Sequence, residues 1–176
     1  LVASITKSEA LAGLAQTFGV LGAAAMALPL ANLTRRGGRR LALSSGYLVG
    51  AIGAVFAVAG GASRILPIML LGTFLVGAAA ASGYQARYAA VDLATKSTRA
   101  RSLSLVVWAS TIGSVVGPNL MGPFGKVATF FGLPKLTGPY FLSATMLGLG
   151  SLIIWTRLKP DPYLTSVAGH SEESSS

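Results

Sequence analysis

The sequence contains no cysteine, and its only histidine, His170, lies in a polar stretch near the end of the 176 residues. Without cysteine, the chain can form no disulfide, no thiolate metal site and no cysteine nucleophile. A single histidine outside the apolar segments leaves little from which to build a metal centre or a catalytic triad. We therefore expect no enzymatic activity, no bound metal and no cofactor.

Charged residues are also scarce, at 11% of the sequence, whereas about a quarter of a soluble domain is charged. Hydrophobic residues make up 52%, and charge-free runs of more than 20 residues recur at 10–33, 41–63, 65–86, 102–125 and 136–156. About 20 apolar residues cross the hydrocarbon core of a bilayer as a helix. This distribution therefore predicts an all-α membrane protein, a polytopic helical bundle, rather than an unusually apolar soluble domain.

Residues 1–160 are predicted to form a bundle of five transmembrane helices, and residues 161–176 a polar cytoplasmic tail. The expected spans are residues 9–33, 41–62, 66–88, 103–125 and 138–156. The third span is expected to continue as a helix into water as far as Arg101. The second span has a face of small residues, which fits either packing within one bundle or dimerisation; its glycines are Gly46, Gly50 and Gly53.

The net charge of +9 comes from lysines and arginines that lie mainly between the predicted spans. Loops on one side hold nine of these residues and loops on the other side hold four, with Arg87 left aside. The positive-inside rule places the richer loops in the cytoplasm. Nucleic-acid binding requires a basic face on a folded surface, so this placement argues against it.

Four arginines lie in the segment Leu30–Arg40, which we call the elbow and which joins the first two predicted spans. Glycine permits a tight turn there, and arginines bind helix C-terminal carbonyls, carboxylates or anionic lipid. The elbow resembles a loop signature of the major facilitator superfamily, G-x-L-a-D-r-x-G-R-R, found between the second and third spans of those transporters. The matching residues are Leu33, Arg36, Gly38, Arg39 and Arg40. Ala31 stands at the position of the first glycine, and Arg35 stands at the position of the acid, which in the family helps to close the cytoplasmic side of the transporter. The alternative interpretation of the elbow is a generic basic loop.

A second motif lies in the fourth predicted span and resembles the family's fifth-span signature, g-x-x-x-G-P-x-x-G-G. The matching residues are Gly113, Gly117, Pro118 and Gly122, and Met121 replaces one glycine. Glycines allow close helix contact, and proline removes a backbone donor and bends a helix. In the family this signature accompanies drug–proton antiporters. A kinked helix without a role in transport is the alternative.

The resemblance extends to a third segment, in which Asp92, Arg99 and Arg101 are similar to the family's D-x-x-p-x-x-R-like loop between the fourth and fifth spans. The family's fourth-span arginine is expected near Gly72 or Thr73 and is absent. The resemblance thus covers the whole chain as spans two to six, and we interpret the sequence as a fragment. It implies as partners a lipid bilayer, a small-molecule substrate, and the missing first span and C-terminal half. We expect no transport by this chain alone.

Gln16, Tyr84, Gln85 and Trp108 are candidates for lining a substrate cavity, because ligand pockets combine aromatic surface with a few polar groups. Contacts between helices are the alternative for each of them. Arg87 is the most costly residue if the third span continues past it, and it then marks a functional site. Snorkelling to the lipid head groups fits its position equally well.

No Asp or Glu occurs between Ala10 and Val91. A proton-driven antiporter needs a membrane group that changes its charge, so Glu9, Asp92 or a residue outside this sequence would carry the proton. The family resemblance implies proton-coupled efflux of a small amphipathic compound across the plasma membrane by alternating access, with the proton gradient as energy source. An uptake symporter or facilitator and a non-transporting membrane scaffold subunit are the alternatives.

Overall fold

Four α-helices form the fold in the computed structural model, which describes residues 13–92, 94, 97–165 and 167. They are α1 (Leu14–Ser63), α2 (Leu66–Asp92), α3 (Arg99–Phe130) and α4 (Gly138–Arg157), with a 3₁₀ helix at Lys135–Thr137 before α4. No β-strand occurs in the described part of the chain. Each α-helical segment is long and apolar enough to cross a membrane. The prediction of an all-α membrane bundle is confirmed.

α1 has 50 residues, which as a straight helix would extend about 75 Å, more than twice the hydrocarbon thickness of a bilayer. It instead reverses at Gly38, whose φ of 83° and ψ of 174° are not helical. The two halves run antiparallel, because a side-chain carbon added at Gly46 would lie 3.2 Å from the Leu30 side chain. We call residues 14–37 the first arm and residues 39–63 the second arm. The first two predicted spans therefore correspond to the two arms of α1, which are two helical segments separated by the non-helical Gly38.

α2 packs against both arms through glycine and alanine, so that helix backbones touch. A side-chain carbon at Gly22 of the first arm would collide with the backbone of Phe74. One at Gly53 of the second arm would lie 2.7 Å from the carbonyl oxygen of Gly72. The small-residue face of the second arm is therefore occupied by α2 within the chain.

α4 packs along the second arm, and α3 packs mainly on the start of α4. The Ser151 hydroxyl of α4 donates a hydrogen bond of 2.7 Å to the backbone carbonyl of Ser44. At the other end of α4, the rings of Phe124 and Phe141 lie 6.5 Å apart. The only buried residues of α3 are Gly125 and Ala128, so most of this helix exposes every face.

The connection from α2 to α3 differs from the prediction. α2 ends at Asp92, so the expectation that its helix continues to Arg101 is wrong. Residues 97 and 98 form a turn, and α3 begins at Arg99. Ser97 and Thr98 carry hydroxyl groups, which compete for backbone hydrogen bonds and favour turns over helix.

α3 is more regular than its composition predicts. It remains helical across Pro118 and Pro123 and continues to Phe130, past the predicted end of the span at residue 125. A helix in a bilayer tolerates proline because side chains and local adjustments of the helix satisfy the backbone groups that proline frees. In the predicted tail, residues 162–165 form one helical turn. The candidate proton carrier Glu9 and the histidine His170 lie outside the described residues.

Candidate functional site

The elbow is held by a carboxylate that comes from the segment after α4. Asp161 Oδ1 accepts a hydrogen bond of 3.0 Å from the backbone N–H of Arg39. Its Oδ2 accepts one of 2.7 Å from the backbone N–H of Arg40. These groups are the first of the second arm, where helix N–H groups have no partner within the helix and the helix dipole favours a negative charge. Asp161 therefore caps the second arm from 121 residues away.

The same carboxylate also caps the helical turn that follows it. Asp161 Oδ1 accepts hydrogen bonds of 3.0 Å and 3.3 Å from the backbone N–H groups of Tyr163 and Leu164. A side-chain carbon at Gly38 would collide with this carboxylate. Because Gly38 also has a positive φ, which L side chains rarely adopt, both the conformation and the contact require glycine.

Arg39 connects the elbow to the end of α2. Its Nε lies 2.8 Å from Asp92 Oδ2, and the two side chains are 15% and 17% exposed. The Arg39 guanidinium carbon also lies 6.0 Å from the centroid of the Tyr88 ring and 5.8 Å from that of Tyr163. One arginine thus contacts the elbow's two neighbours, α2 and the segment after α4. We call the end of the bundle that holds these contacts the basic end.

The other elbow residues lie around this network. The guanidinium carbon of Arg40 lies 4.3 Å from the centroid of the Trp155 ring, within cation–π range. Arg35 is exposed and donates a hydrogen bond of 2.6 Å to Asn32 Oδ1. Leu33 and Arg36 line a separate groove between the arms. Of the motif residues, Gly38, Arg39 and Arg40 therefore meet in one network, and Leu33 and Arg36 do not join it.

A second feature is a groove between the first arm and α2, which we call the glutamine groove. Its volume is about 610 Å³, within the range of small-molecule pockets. Gln16, Tyr84 and Gln85 supply its polar groups, and the remaining walls are glycine, alanine and valine. The Gln85 amide oxygen accepts a hydrogen bond of 3.3 Å from the Thr34 hydroxyl. The structure thus brings together three of the predicted cavity residues.

A smaller groove of about 320 Å³ lies between the ends of α2 and α3. We call it the arginine groove; its lining residues are Tyr84, Arg87, Tyr88, Val91, Arg99 and Leu103. Tyr84 borders both grooves. Trp108 lies on α3 with 65% of its surface exposed and lines neither groove.

The glycines of the glycine–proline motif on α3 have no close neighbour from another described helix. A side-chain carbon added at Gly113, Gly117 or Gly122 would meet no atom of the described structure within 4 Å. Pro118 is exposed as well. The close contact that the glycines allow is therefore not made with any described part of this chain. Among the described residues, no three His, Cys, Asp or Glu side chains converge as a metal site requires.

Comparison with known proteins decides the family. The sequence model of the Major Facilitator Superfamily matches residues 1–175. The chain belongs to the Major Facilitator Superfamily. Members of this family are transporters rather than enzymes, which agrees with the long apolar helices of this chain.

Relatives within the superfamily support the assignment. Two uncharacterized MFS-type transporters of Bacillus subtilis strain 168 are similar: YdeG is 35% identical over 88% of this chain, and YddS is 34% identical over 92%. The riboflavin transporter RfnT of Brucella anthropi is 36% identical over 79% of the chain. These matches cover 36%, 37% and 34% of the relatives, so the chain spans about a third of their length. No solved structure matches the chain significantly.

Sequence reasoning about this superfamily member missed Asp161. Its local signal is the order Asp161-Pro162, because an acid before a proline is typical of a helix N-cap followed by the first helical residue. That signal predicts only the turn at 162–165. The contact with Arg39 and Arg40 depends on how α4 packs along the second arm, which no short pattern in the sequence reveals.

Proposed function

We propose that the full-length protein is a proton-coupled exporter that moves a small amphipathic compound across the plasma membrane by alternating access. The observation that carries this proposal is the glutamine groove, with apolar walls and a few polar groups of Gln16, Tyr84 and Gln85. Such a lining suits a compound with a large apolar surface and one or two hydrogen-bonding groups. The rest of the site would come from the parts of the transporter that lie outside this sequence.

We propose that the basic end faces the cytoplasm, because it holds most of the lysines and arginines that lie between the predicted spans. In this orientation the contacts of Asp161 and Arg39 join α1, α2 and the segment after α4 at the cytoplasmic surface. Joined helices move together, as alternating access by rigid-body rocking requires. The network would therefore keep this half of the transporter rigid while the other half moves against it.

The proton carrier is proposed to be Glu9 or a carboxylate outside this sequence. Asp92 is paired with Arg39, and Asp161 accepts four backbone hydrogen bonds. A carboxylate that exchanges protons during the cycle needs access to both sides in turn, which suits neither of these aspartates.

Uptake of a compound like riboflavin is the second candidate function. Its substrate is suggested by the similarity to RfnT, whose name states that it transports riboflavin and gives no direction. The same groove fits this candidate, since a planar ring system with polar edges combines apolar surface and hydrogen-bonding groups.

The role of the glutamine groove is tested in the full-length protein by substituting Gln85→Leu and Gln16→Leu. Each change removes a polar group from the groove, so transport of an amphipathic probe such as riboflavin or ethidium in proteoliposomes should fall at least fivefold, or about 1 kcal/mol for each lost hydrogen bond. Thr145→Val on α4 is the control, since Thr145 is exposed and lies outside the groove. Equal transport by all three variants would show that the polar groups of the glutamine groove do not contribute to transport.

A further inference from the structure

The arginine groove has a charge that the rest of the described chain does not balance. Arg87 of α2 and Arg99 of α3 line it together. The two described carboxylates, Asp92 and Asp161, are engaged by Arg39 and by backbone N–H groups respectively. Within the described residues, neither Arg87 nor Arg99 forms a salt bridge. Both arginines are exposed, so their guanidinium groups are free to donate hydrogen bonds to an anion that enters the groove.

Aromatic and apolar side chains lie beside the two arginines, which are themselves exposed. The Arg87 guanidinium carbon lies 5.8 Å from the centroid of the Tyr84 ring. Tyr88 lines the same groove, and Val91 and Leu103 add apolar surface. Tyrosine is typical of the membrane–water interface, where one end of the side chain is apolar and the other is hydrated. The groove thus offers cationic groups beside an apolar wall.

We infer that the arginine groove binds the phosphate group of an anionic organic phosphate. Guanidinium groups donate paired hydrogen bonds that match phosphate oxygens, and basic pockets between membrane helices bind lipid head groups. The phosphate belongs either to an anionic phospholipid of the surrounding bilayer or to a soluble organic phosphate. In the first case the acyl chains extend along Val91 and Leu103; in the second only the head group is held.

This site does not depend on the proposed export function. The glutamine groove lies between the first arm and α2, whereas the arginine groove lies between α2 and α3. Only Tyr84 borders both. Loss of head-group binding would therefore leave the proposed substrate site intact, and a failure of the export proposal would leave this inference standing.

The test measures binding of short-chain phosphatidylglycerol, phosphatidylcholine and glycerol 3-phosphate to the purified full-length protein by native mass spectrometry. Phosphatidylglycerol should bind more tightly than phosphatidylcholine. Arg87→Gln and Arg99→Gln should each weaken its binding about fivefold, the effect of one basic residue at a membrane surface. Arg87→Lys keeps the charge and should retain more of the affinity than Arg87→Gln.

Arg101→Gln is the matched control, because Arg101 is exposed, lies two positions after Arg99 on α3 and does not line the groove. It should leave binding unchanged. Selective phosphatidylglycerol binding that Arg87→Gln weakens supports a lipid ligand, and equal competition by glycerol 3-phosphate supports a soluble phosphate. The inference is overturned if Arg101→Gln weakens binding as much as Arg99→Gln does. It is also overturned if neither phosphatidylglycerol nor glycerol 3-phosphate binds.

Discussion

At the scale of single residues, Gly38 determines whether α1 can fold back on itself. It has a positive φ, and the position that a side chain would take is filled by the Asp161 carboxylate. Its neighbour Gly37 has neither constraint, since an added carbon there would meet only the flexible end of the Leu41 side chain. The two adjacent glycines of the elbow therefore serve different purposes, although the sequence presents them as equivalent.

Gly38→Ala in the full-length protein is predicted to destabilise the fold by more than about 2 kcal/mol, because backbone strain of about 1–3 kcal/mol adds to the displacement of Asp161. Gly37→Ala is predicted to cost little, since alanine favours helix over glycine. Thermal unfolding of the two variants in detergent measures the difference. Equal melting temperatures would show that the reversal does not lie at Gly38.

At the scale of helices, the start of the second arm and the turn at 162–165 share one cap. The carboxylate of Asp161 accepts hydrogen bonds from N–H groups of both, so it positions each helix start relative to the other. Arg39 adds the end of α2 to this junction through Asp92. The basic end is therefore stabilised by contacts between helices that are far apart in sequence.

Asp161→Ala is predicted to reduce stability by about 2–3 kcal/mol, since the loss of one N-cap costs about 1 kcal/mol and here two caps and a charge are lost. Hydrogen exchange of the amides of Arg39 and Arg40 should accelerate, because their acceptor is gone. Asp161→Asn keeps one acceptor oxygen and should lie between the wild type and Asp161→Ala. Unchanged exchange at Arg39 and Arg40 would contradict the capping role.

The helices also show where sequence patterns succeed and fail. Charge-free runs predict helices in a membrane protein, because the hydrophobic length of a span must match the bilayer. The helices α2 and α4 start at the residues where spans were predicted to start, 66 and 138. The patterns fail at ends and junctions. Ser97 and Thr98 favour a turn where a continued helix was predicted, and α3 continues to Phe130, past the predicted end of the span at residue 125.

At the scale of the whole molecule, the bundle is held together by close backbone contacts and by the network at the basic end. The sequence pointed to Gln16, Tyr84 and Gln85 as cavity residues, and the structure places all three in one groove. That they bind substrate stays a prediction. The Arg39–Asp92 pair and the Asp161 cap were not predicted, because they join residues 53 and 121 positions apart and depend on helix packing.

α3 differs from the other helices in how few contacts it makes within the described part of the chain. The glycines of α3 meet no neighbour, and the chain spans about a third of its relatives. Gly113 and Gly117 lie about one helical turn apart on the same side of α3, where a close helix contact is possible but is made by no described part of this chain. Transport by the complete protein, rather than by this chain, is the property that tests the account.

The most direct measurement follows riboflavin and ethidium in inverted membrane vesicles that contain the full-length protein, with the basic end facing the medium. An exporter that exchanges its substrate for protons should accumulate at least one of these compounds in an acidic lumen, and the ionophore nigericin should abolish the accumulation by collapsing the pH gradient. Loss of preloaded compound from the acidic lumen would contradict export and favour proton-coupled uptake. Transport of these compounds at the same rate with and without the pH gradient would contradict proton coupling.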